Sequence, residues 1–429
     1  MIDIRDHGAV GDGATLNTEA IQAAIDACTA AGGGTVRIEG GIFLTGTLVL
    51  KDHVLLELAA GAELRGSPRI EDYATGCGKN MYRGEAKKDR CLLFAEGACN
   101  IGIVGTGTIN GNGHRDIFPN EGDSDQNRPM LIRFVDCTGI RMRDVTLRDP
   151  AAWTSAWLYC RDIVVDGITI DSRVNYNGDG LDFDGCTNVR VSNASFDTSD
   201  DSICLQTSRP DRPCRDVTVT NCTFCSKWAG MRIGLLSRAD FENVTVSNCV
   251  FRDIDDSGLK IQMCEGGTMR RMVFTGLVME NVPRPVFLTF CQQRACVDAP
   301  EGVAPMQLMG EMLFSDMVVD ATRRGTDAAF ILTGMPGHPI ETITLRNIDM
   351  RVAGGGTAED AANELKELDL DTLAGHWPEY RCFDATVPAY GLYARHVRGL
   401  TVEGFRVRTD APDARPERVF VDVEASESW

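Results

Sequence analysis

The sequence holds no run of about 18 apolar residues, which excludes a membrane-spanning helix. Basic residues are few. Lys plus Arg number 43 against 62 Asp plus Glu, a net charge of −19, so binding to nucleic acid or to an anionic membrane is not expected. A polyanionic substrate would be repelled unless cations gather locally at its site. Histidine is scarcer still, with six residues, none of them in the acidic stretch at 175–262 that carries the motifs below. This argues against a histidine nucleophile relay and against a His-rich metal centre. The opening MIDIRDHGAVGDG has neither a basic leader nor an apolar segment after it. A cytoplasmic location is therefore expected, or an extracellular or periplasmic one if a leader has been removed. No Pro- or Ser-rich linker interrupts the chain, so 1–429 is read as one domain. With 43% apolar and 24% charged residues, disorder and a fibrous chain are excluded.

Glycine is abundant, with 44 residues, and there are 16 cysteines. Glycine at that level implies many turns. The cysteines are dilute in a long chain and sit in apolar, strand-like settings. Cys137, Cys160, Cys186, Cys222 and Cys249 are therefore expected to be buried free thiols packing as small hydrophobes. One eight-residue pattern recurs: apolar, any, apolar, any, a turn-tolerant residue, any, any, apolar. It occupies Ile140–Leu147, Ile163–Ile170, Val189–Phe196, Val217–Phe224, Val244–Phe251 and Met272–Met279, with later copies starting at Met312, Ile343 and Leu400. The first six starts are separated by 23, 26, 28, 27 and 28 residues. Each copy reads as two short strands bent at Asn, Asp or Gly. A repeat near 27 with about three short strands per turn fits an all-β fold, a right-handed parallel β-helix, from about 35 to 410. An antiparallel sandwich would not repeat with this fidelity. Asn, Ser and Cys side chains should stack from coil to coil at the bends. An open coil end needs a cover. The helix read at Ala20–Ala31, with Asn17 and Thr18 as its N-cap and Gly32–Gly34 as its stop, supplies one. Residues 355–377, rich in Ala, Glu, Asp and Leu, break the repeat and are expected to form a helical insertion.

The densest acidic region spans two consecutive copies, Asn175–Cys186 and Asp197–Gln206. With Leu181/Phe183, Ile203/Leu205, Met231/Ile233 and Leu259/Ile261 phased inward, their neighbours are expected to face outward. One such column is Asp182, Cys204, Arg232 and Lys260; the next is Asp184, Gln206, Gly234 and Gln262. A third, just before the strand, holds Asp179, Asp201, Ala229 and Ser257, and Asp200 aligns with Trp228. Rungs about 4.8 Å apart bring Asp179, Asp200 and Asp201 onto one patch. Three carboxylates so close cannot all ionise freely, so at least one should hold its proton. A carboxylic acid beside a carboxylate is what glycoside hydrolysis requires: one protonates the leaving oxygen and the other activates water. A calcium site and a solvated acidic loop are the alternatives on spacing alone. Arg232 and Lys260 could together grip an anionic group, or Arg232 could simply neutralise Asp182. Trp228, and secondarily Trp153, Trp157 and Tyr159, could present flat faces to a sugar ring.

These residues, with DHGAVGDG at the start and GTGTINGNG at 105–113, give the chain a resemblance to family 28 glycoside hydrolases, the polygalacturonase family, over most of its length. The resemblance implies a right-handed parallel β-helix and an inverting hydrolase of pectic sugars that needs no metal or other cofactor. The family's Asn-Thr-Asp matches Asn177-Gly178-Asp179, and its Gly-Asp-Asp matches Ser199-Asp200-Asp201. This implies Asp200 as general acid, with Asp179 and Asp201 positioning and deprotonating water. Two motifs depart. The family's Gly-His-Gly aligns with Trp228-Ala229-Gly230, without the histidine, and its Arg-Ile-Lys aligns with Lys260-Ile261-Gln262. Catalysis thus reads as kept and recognition as altered, with Asn177, Asp182, Arg232, Lys260, Gln262 and Trp228 as substrate-binding candidates. The expected partner is an oligosaccharide or glycoside, and the expected activity is end-on cleavage of a short pectin-derived or related oligosaccharide containing uronate or deoxysugar. A polysaccharide lyase with Lys260 or Arg232 as base, and a non-catalytic carbohydrate-binding solenoid, are the competing functions.

Overall fold

The computed structural model describes every residue except 79–87, 120–126, 292–305, 370–382, 384 and 429. The described chain is almost all β, with strands that pair in parallel from one coil to the next. It gathers into two compact units, Met1–Ile203 and the described residues from Cys204 onward.

In the first unit the repeat sets the register. Ile140 pairs with Ile163, and Ile163 with Val189; in the second strand of each copy Leu147 pairs with Ile170, and Ile170 with Phe196. In the second unit Val217 pairs with Val244, Val244 with Met272, Met272 with Met312, Met312 with Ile343, and Ile343 with Leu400. Each unit is therefore a stack of parallel coils, the architecture of a parallel β-helix, with like residues lying on like. The apolar positions of the repeat are buried, save Val407 of the last copy, which is half-buried. Aromatic rings stack inside, as with Phe224 on Phe251 at 4.6 Å and Phe274 on Phe314 at 4.8 Å between centroids.

The fifth position of the pattern does the bending. Asp144, Gly167, Asn193, Asn221, Asn248, Gly276, Asp316, Asn347 and Gly404 all have φ between 52° and 67°, the left-handed region that Asn, Asp and Gly tolerate best. A second left-handed corner lies one residue before each copy, and there the sequence gives little warning. It is filled by Gly139, Asp162, Asn188, Asp216 and Asn243, but also by Arg271, Glu311 and Thr342. Side-chain amides climb these corners as expected: Asn188 donates to Asp162 at 2.6 Å, Asn243 to Asp216 at 2.7 Å, and Asn347 to Asp316 at 2.7 Å.

The helix Thr18–Ala30 buries Ile21, Ala24, Ile25 and Cys28 and packs on the strand Gly34–Ile38, closing the N-terminal coil. Its capping differs from expectation. The Asn17 side chain makes no cap bond. It accepts from the Val10 amide at 2.7 Å and donates to the Val10 and Thr15 carbonyls, stitching the entering strand to the helix start. Within the expected helical insertion only one short helix is found among the described residues, Ala358–Ala361, closed by a Thr357/Asp360 capping box; residues 370–377 lie outside the described part. Leu365 belongs to a buried cluster that includes Phe287, Ile331 and Tyr393. The Arg395 guanidinium donates to the Leu365 and Lys366 carbonyls, each at 2.8 Å.

The fourteen described cysteines are all free, and all but Cys99 are buried. Cys137, Cys160 and Cys186 take the same place in successive coils, each thiol turned toward the carbonyl two residues earlier. Burial pushes the Cys160 and Cys91 thiols well up. Cys137 rises through its hydrogen bond to Cys160 and its burial. A thiol held above its ordinary range carries little of the reactive thiolate. Alkylation of the native protein should therefore label Cys99 first and Cys91, Cys137 and Cys160 last, with the buried thiols reacting only on denaturation without reductant. Peptide mapping by mass spectrometry checks this, and rapid native labelling of Cys160 would contradict it.

Candidate active site

The acidic site is assembled within the first unit. The Thr154 amide donates to the Asp179 carbonyl, the Gly180 amide to the Asp201 carbonyl and the Leu181 amide to the Ser202 carbonyl. These bonds place Asp179 and Asp201 on neighbouring rungs, as phasing by Leu181 and Phe183 predicts. One carboxylate oxygen from each of Asp179, Asp200 and Asp201 lies within 4.8 Å of the others. Asp179 and Asp201 are buried, and Asp200 is the most open of the three.

The loop before Asp179 is held from several sides. Asn175 donates to the Gly113 and Phe118 carbonyls at 2.8 and 2.9 Å. Ser172 donates to the Gly178 carbonyl, and Ser199 to the Asn175 carbonyl, each at 2.6 Å. Gly178 stands where the resembling family has Thr, and the reason is local: a Cβ there would lie 2.1 Å from the Ser172 carbonyl oxygen and 2.6 Å from Ser199 Oγ. Asn177 sits in the left-handed region with φ 51° and reaches Asp200 Oδ2 with its amide nitrogen at 3.3 Å. The other Asp200 oxygen accepts from the Asp201 backbone amide at 3.0 Å.

Burial, with the neighbouring carboxylates of Asp200, Asp182 and Asp201, pushes Asp179 well above the usual carboxylate range, against a weaker opposing pull from Lys88. Its Oδ1 is buried with no hydrogen-bond partner among the described residues. Carboxylates placed this close resist ionising together and titrate as a unit. The same three carboxylates could offer oxygens to a hard cation, although a site that retains a proton competes against one.

Asp182 and Asp184 are also buried, on the strand Leu181–Asp184. Two basic residues that the sequence reading passed over belong to this unit. Lys88 is buried, with its ammonium 5.4 Å from the centre of the Trp153 ring. Arg128 is buried just before the strand Met130–Val135 and bonds to Asn177. Neither stands out in sequence: one is the second Lys of the Lys87-Lys88 pair, the other a lone Arg before a proline. Trp157 is wholly buried between Phe134 and Phe183, so it is a core residue and offers no face to a sugar.

In the second unit Arg232 and Lys260 are register partners, as phased, but both are covered. Arg232 donates from Nε and Nη2 to Gln262 Oε1, at 3.2 and 2.9 Å. Lys260 has no exposed surface; its ammonium lies 2.8 Å from Asp256 and 5.3 Å from the centre of the Trp228 ring. Arg284 flanks the same carboxylate at 3.7 Å. Burial would raise Asp256, but Lys260 and Arg284 outweigh it and hold the group below its ordinary value. The expectation of an accessible Arg232/Lys260 clamp is not met in this structure. The side chains do emerge opposite Leu259 and Ile261, but a buried carboxylate has taken the lysine's charge. Trp228, half-buried, lines a cleft of this unit with Lys227, Asp255, Arg284 and Arg324. Gln262 is fully buried.

The sequence profile described as "Glycosyl hydrolases family 28" matches residues 56–368. An exo-poly-alpha-D-galacturonosidase of Dickeya chrysanthemi is 28% identical over 87% of this chain and 70% of its own length. An exopolygalacturonase of Platanus acerifolia is 25% identical over 85% of this chain and 94% of its own. Among solved structures, an exopolygalacturonase from Thermotoga maritima superposes with a TM-score of 0.70 at 21% identity, covering 82% of this chain and 87% of that one. A family 28 exopolygalacturonase of Yersinia enterocolitica gives 0.68 at 20% identity, over 99% and 77%. At these identities the two structures speak for the fold.

Proposed function

The chain belongs to glycosyl hydrolases family 28 and is a glycosidase, and from that premise we propose that it hydrolyses galacturonate-containing oligosaccharides derived from pectin, releasing sugar from a chain end with inversion at the anomeric carbon. The observation that carries the chemistry is the convergence of Asp179, Asp200 and Asp201, with one oxygen of each inside 4.8 Å. In this reading Asp200, the most open of the three, donates the proton to the leaving oxygen. Asp179 and Asp201 orient the attacking water and take its proton. In this reading the coupled cluster shares one proton, which sits on Asp200 for the reaction and leaves Asp179 and Asp201 as carboxylates, so one cluster serves as acid and base at the same pH. Asn177, partly exposed beside Asp200, is the substrate contact assigned in this unit. End-on cleavage is supported by the relatives named for it.

The lyase reading uses calcium or a basic residue, Lys260 or Arg232, to abstract a proton beside a uronate. Lys260 is a poor base, because it is buried against Asp256 with no exposed surface. The two chemistries separate cleanly in one experiment on trigalacturonate. Hydrolysis should proceed undiminished in EDTA, without the ultraviolet absorbance of an unsaturated product, and proton NMR should show the β-anomer of the released sugar first. The compact trio is tighter than the spacing of about 6.5–9.5 Å usual for inverting enzymes, so the first-formed anomer is the decisive observation. An α-anomer would overturn inversion. Loss of turnover in EDTA, restored by calcium, would overturn the metal-free mechanism.

A further inference from the structure

We infer that Arg128 is a positioning residue for the proposed acid, acting through Asn177; this rests on the reading of Asp200 as proton donor. The guanidinium of Arg128 is buried. It is anchored by donating from Nη1 to the backbone carbonyls of Ala151 at 3.0 Å and Tyr176 at 2.6 Å. Its Nη2 donates to Asn177 Oδ1 at 2.8 Å, and the Asn177 amide nitrogen faces Asp200 Oδ2 at 3.3 Å.

The chemistry of the groups fixes the direction of this chain. An asparagine amide can turn over, exchanging its oxygen and nitrogen at little cost in shape. A guanidinium has only donors. With Arg128 on one side, the amide oxygen must face the arginine, and the NH2 must therefore face Asp200. The bond to the Tyr176 carbonyl adds a second constraint, because it holds the backbone immediately before the left-handed Asn177. Arg128 thus sets which end of the amide the acid meets. A donor on the carboxylate favours its charged form, whereas an amide oxygen there would favour the protonated one.

The test is a double-variant cycle in the full chain, with kcat on trigalacturonate followed across pH. Arg128→Met and Asn177→Ala should each lower kcat roughly tenfold. Each should also move the basic limb of the profile to higher pH, since the acid then loses its proton later. The double variant should be no worse than Asn177→Ala alone, because both changes break one chain. Arg128→Gln keeps a polar side chain but offers both a donor and an acceptor, so it no longer fixes which end of the Asn177 amide faces Asp200. It should shift the limb as Arg128→Met does, and it replaces that variant in the cycle if circular dichroism shows Arg128→Met to be unfolded. Losses that multiply in the double variant, or a basic limb that stays in place in the folded Arg128 variants, would overturn the inference. Asp200→Asn is measured alongside. If it stays active, the catalytic reading of the trio has failed and the relay with it. If it is inactive while the Arg128 and Asn177 losses multiply, only the relay has failed.

Discussion

Replacing Asp200 by asparagine is expected to lower kcat on a galacturonide by about a hundredfold or more, the usual worth of positioned acid–base catalysis. Asparagine nearly preserves shape while removing the proton. Asp179→Asn should lose as much, and combining the two should cost little further, because the three carboxylates act as one unit. The Asp179 change carries a second, opposite expectation. Burial and the adjacent carboxylates raise this group in the folded protein. As pH climbs past the ordinary aspartate value of about 4, the unfolded chain releases a proton that the folded chain keeps. Folded stability is therefore lost from about pH 4 upward toward the raised value. Asp179→Asn removes the group that causes this loss, so the inactive variant should be more resistant to urea than the parent at pH 7, with the gap closing near pH 4. Full turnover by Asp200→Asn would sink the hydrolase assignment of this trio. An Asp179→Asn variant no more stable at pH 7 than at pH 4, relative to the parent, would show that the carboxylates are not held in the mutually repelling state described.

The fold was legible because its information is local and repeated. A left-handed bend at the fifth place of an eight-residue pattern demands Asn, Asp or Gly, and all nine copies supply one. Phasing Leu181, Phe183, Leu259 and Ile261 inward then put Asp179 beside Asp201 and Arg232 beside Lys260, and both registers are observed. What escaped is long-range and side-chain specific. Arg271, Glu311 and Thr342 hold left-handed corners that their own propensities oppose; the coil on either side fixes the backbone there. Alternation tells which side of a strand a residue leaves by, but not what lies over it, so Lys260 reads as an outward cation until Asp256, four residues away, is seen to cover it. Arg128 is 49 residues from the amide it holds, and no pattern in the sequence links the two.

Asp256→Ala is expected to destabilise the protein by about 3–5 kcal/mol, the cost typical of removing one partner from a buried ion pair. Asp256 lies 2.8 Å from Lys260 and 3.7 Å from Arg284, and all three side chains are buried. Deleting the carboxylate leaves the buried charges of Lys260 and Arg284 to be compensated at the base of the cleft that Asp256 and Arg284 line. Lys260→Ala should cost less, because Arg284 still faces Asp256. Its effect should nevertheless appear in folding and not in recognition, with urea resistance falling while KM of the folded enzyme stays near the parental value. That is the reverse of what an exposed carboxylate clamp would give. Replacing the pair together, Lys260→Met with Asp256→Leu, removes both charges at similar volume. It should be less damaging than Asp256→Ala alone, since buried ion pairs gain little over apolar packing once neither charge is stranded. Recovery should stop short of complete, because the double variant removes the Asp256 carboxylate that Arg284 approaches at 3.7 Å. Urea unfolding of the four proteins, with KM measured on each that folds, decides the matter. A Lys260→Ala variant of parental stability whose KM rises tenfold would return this lysine to the substrate and leave Asp256 as its orienting partner.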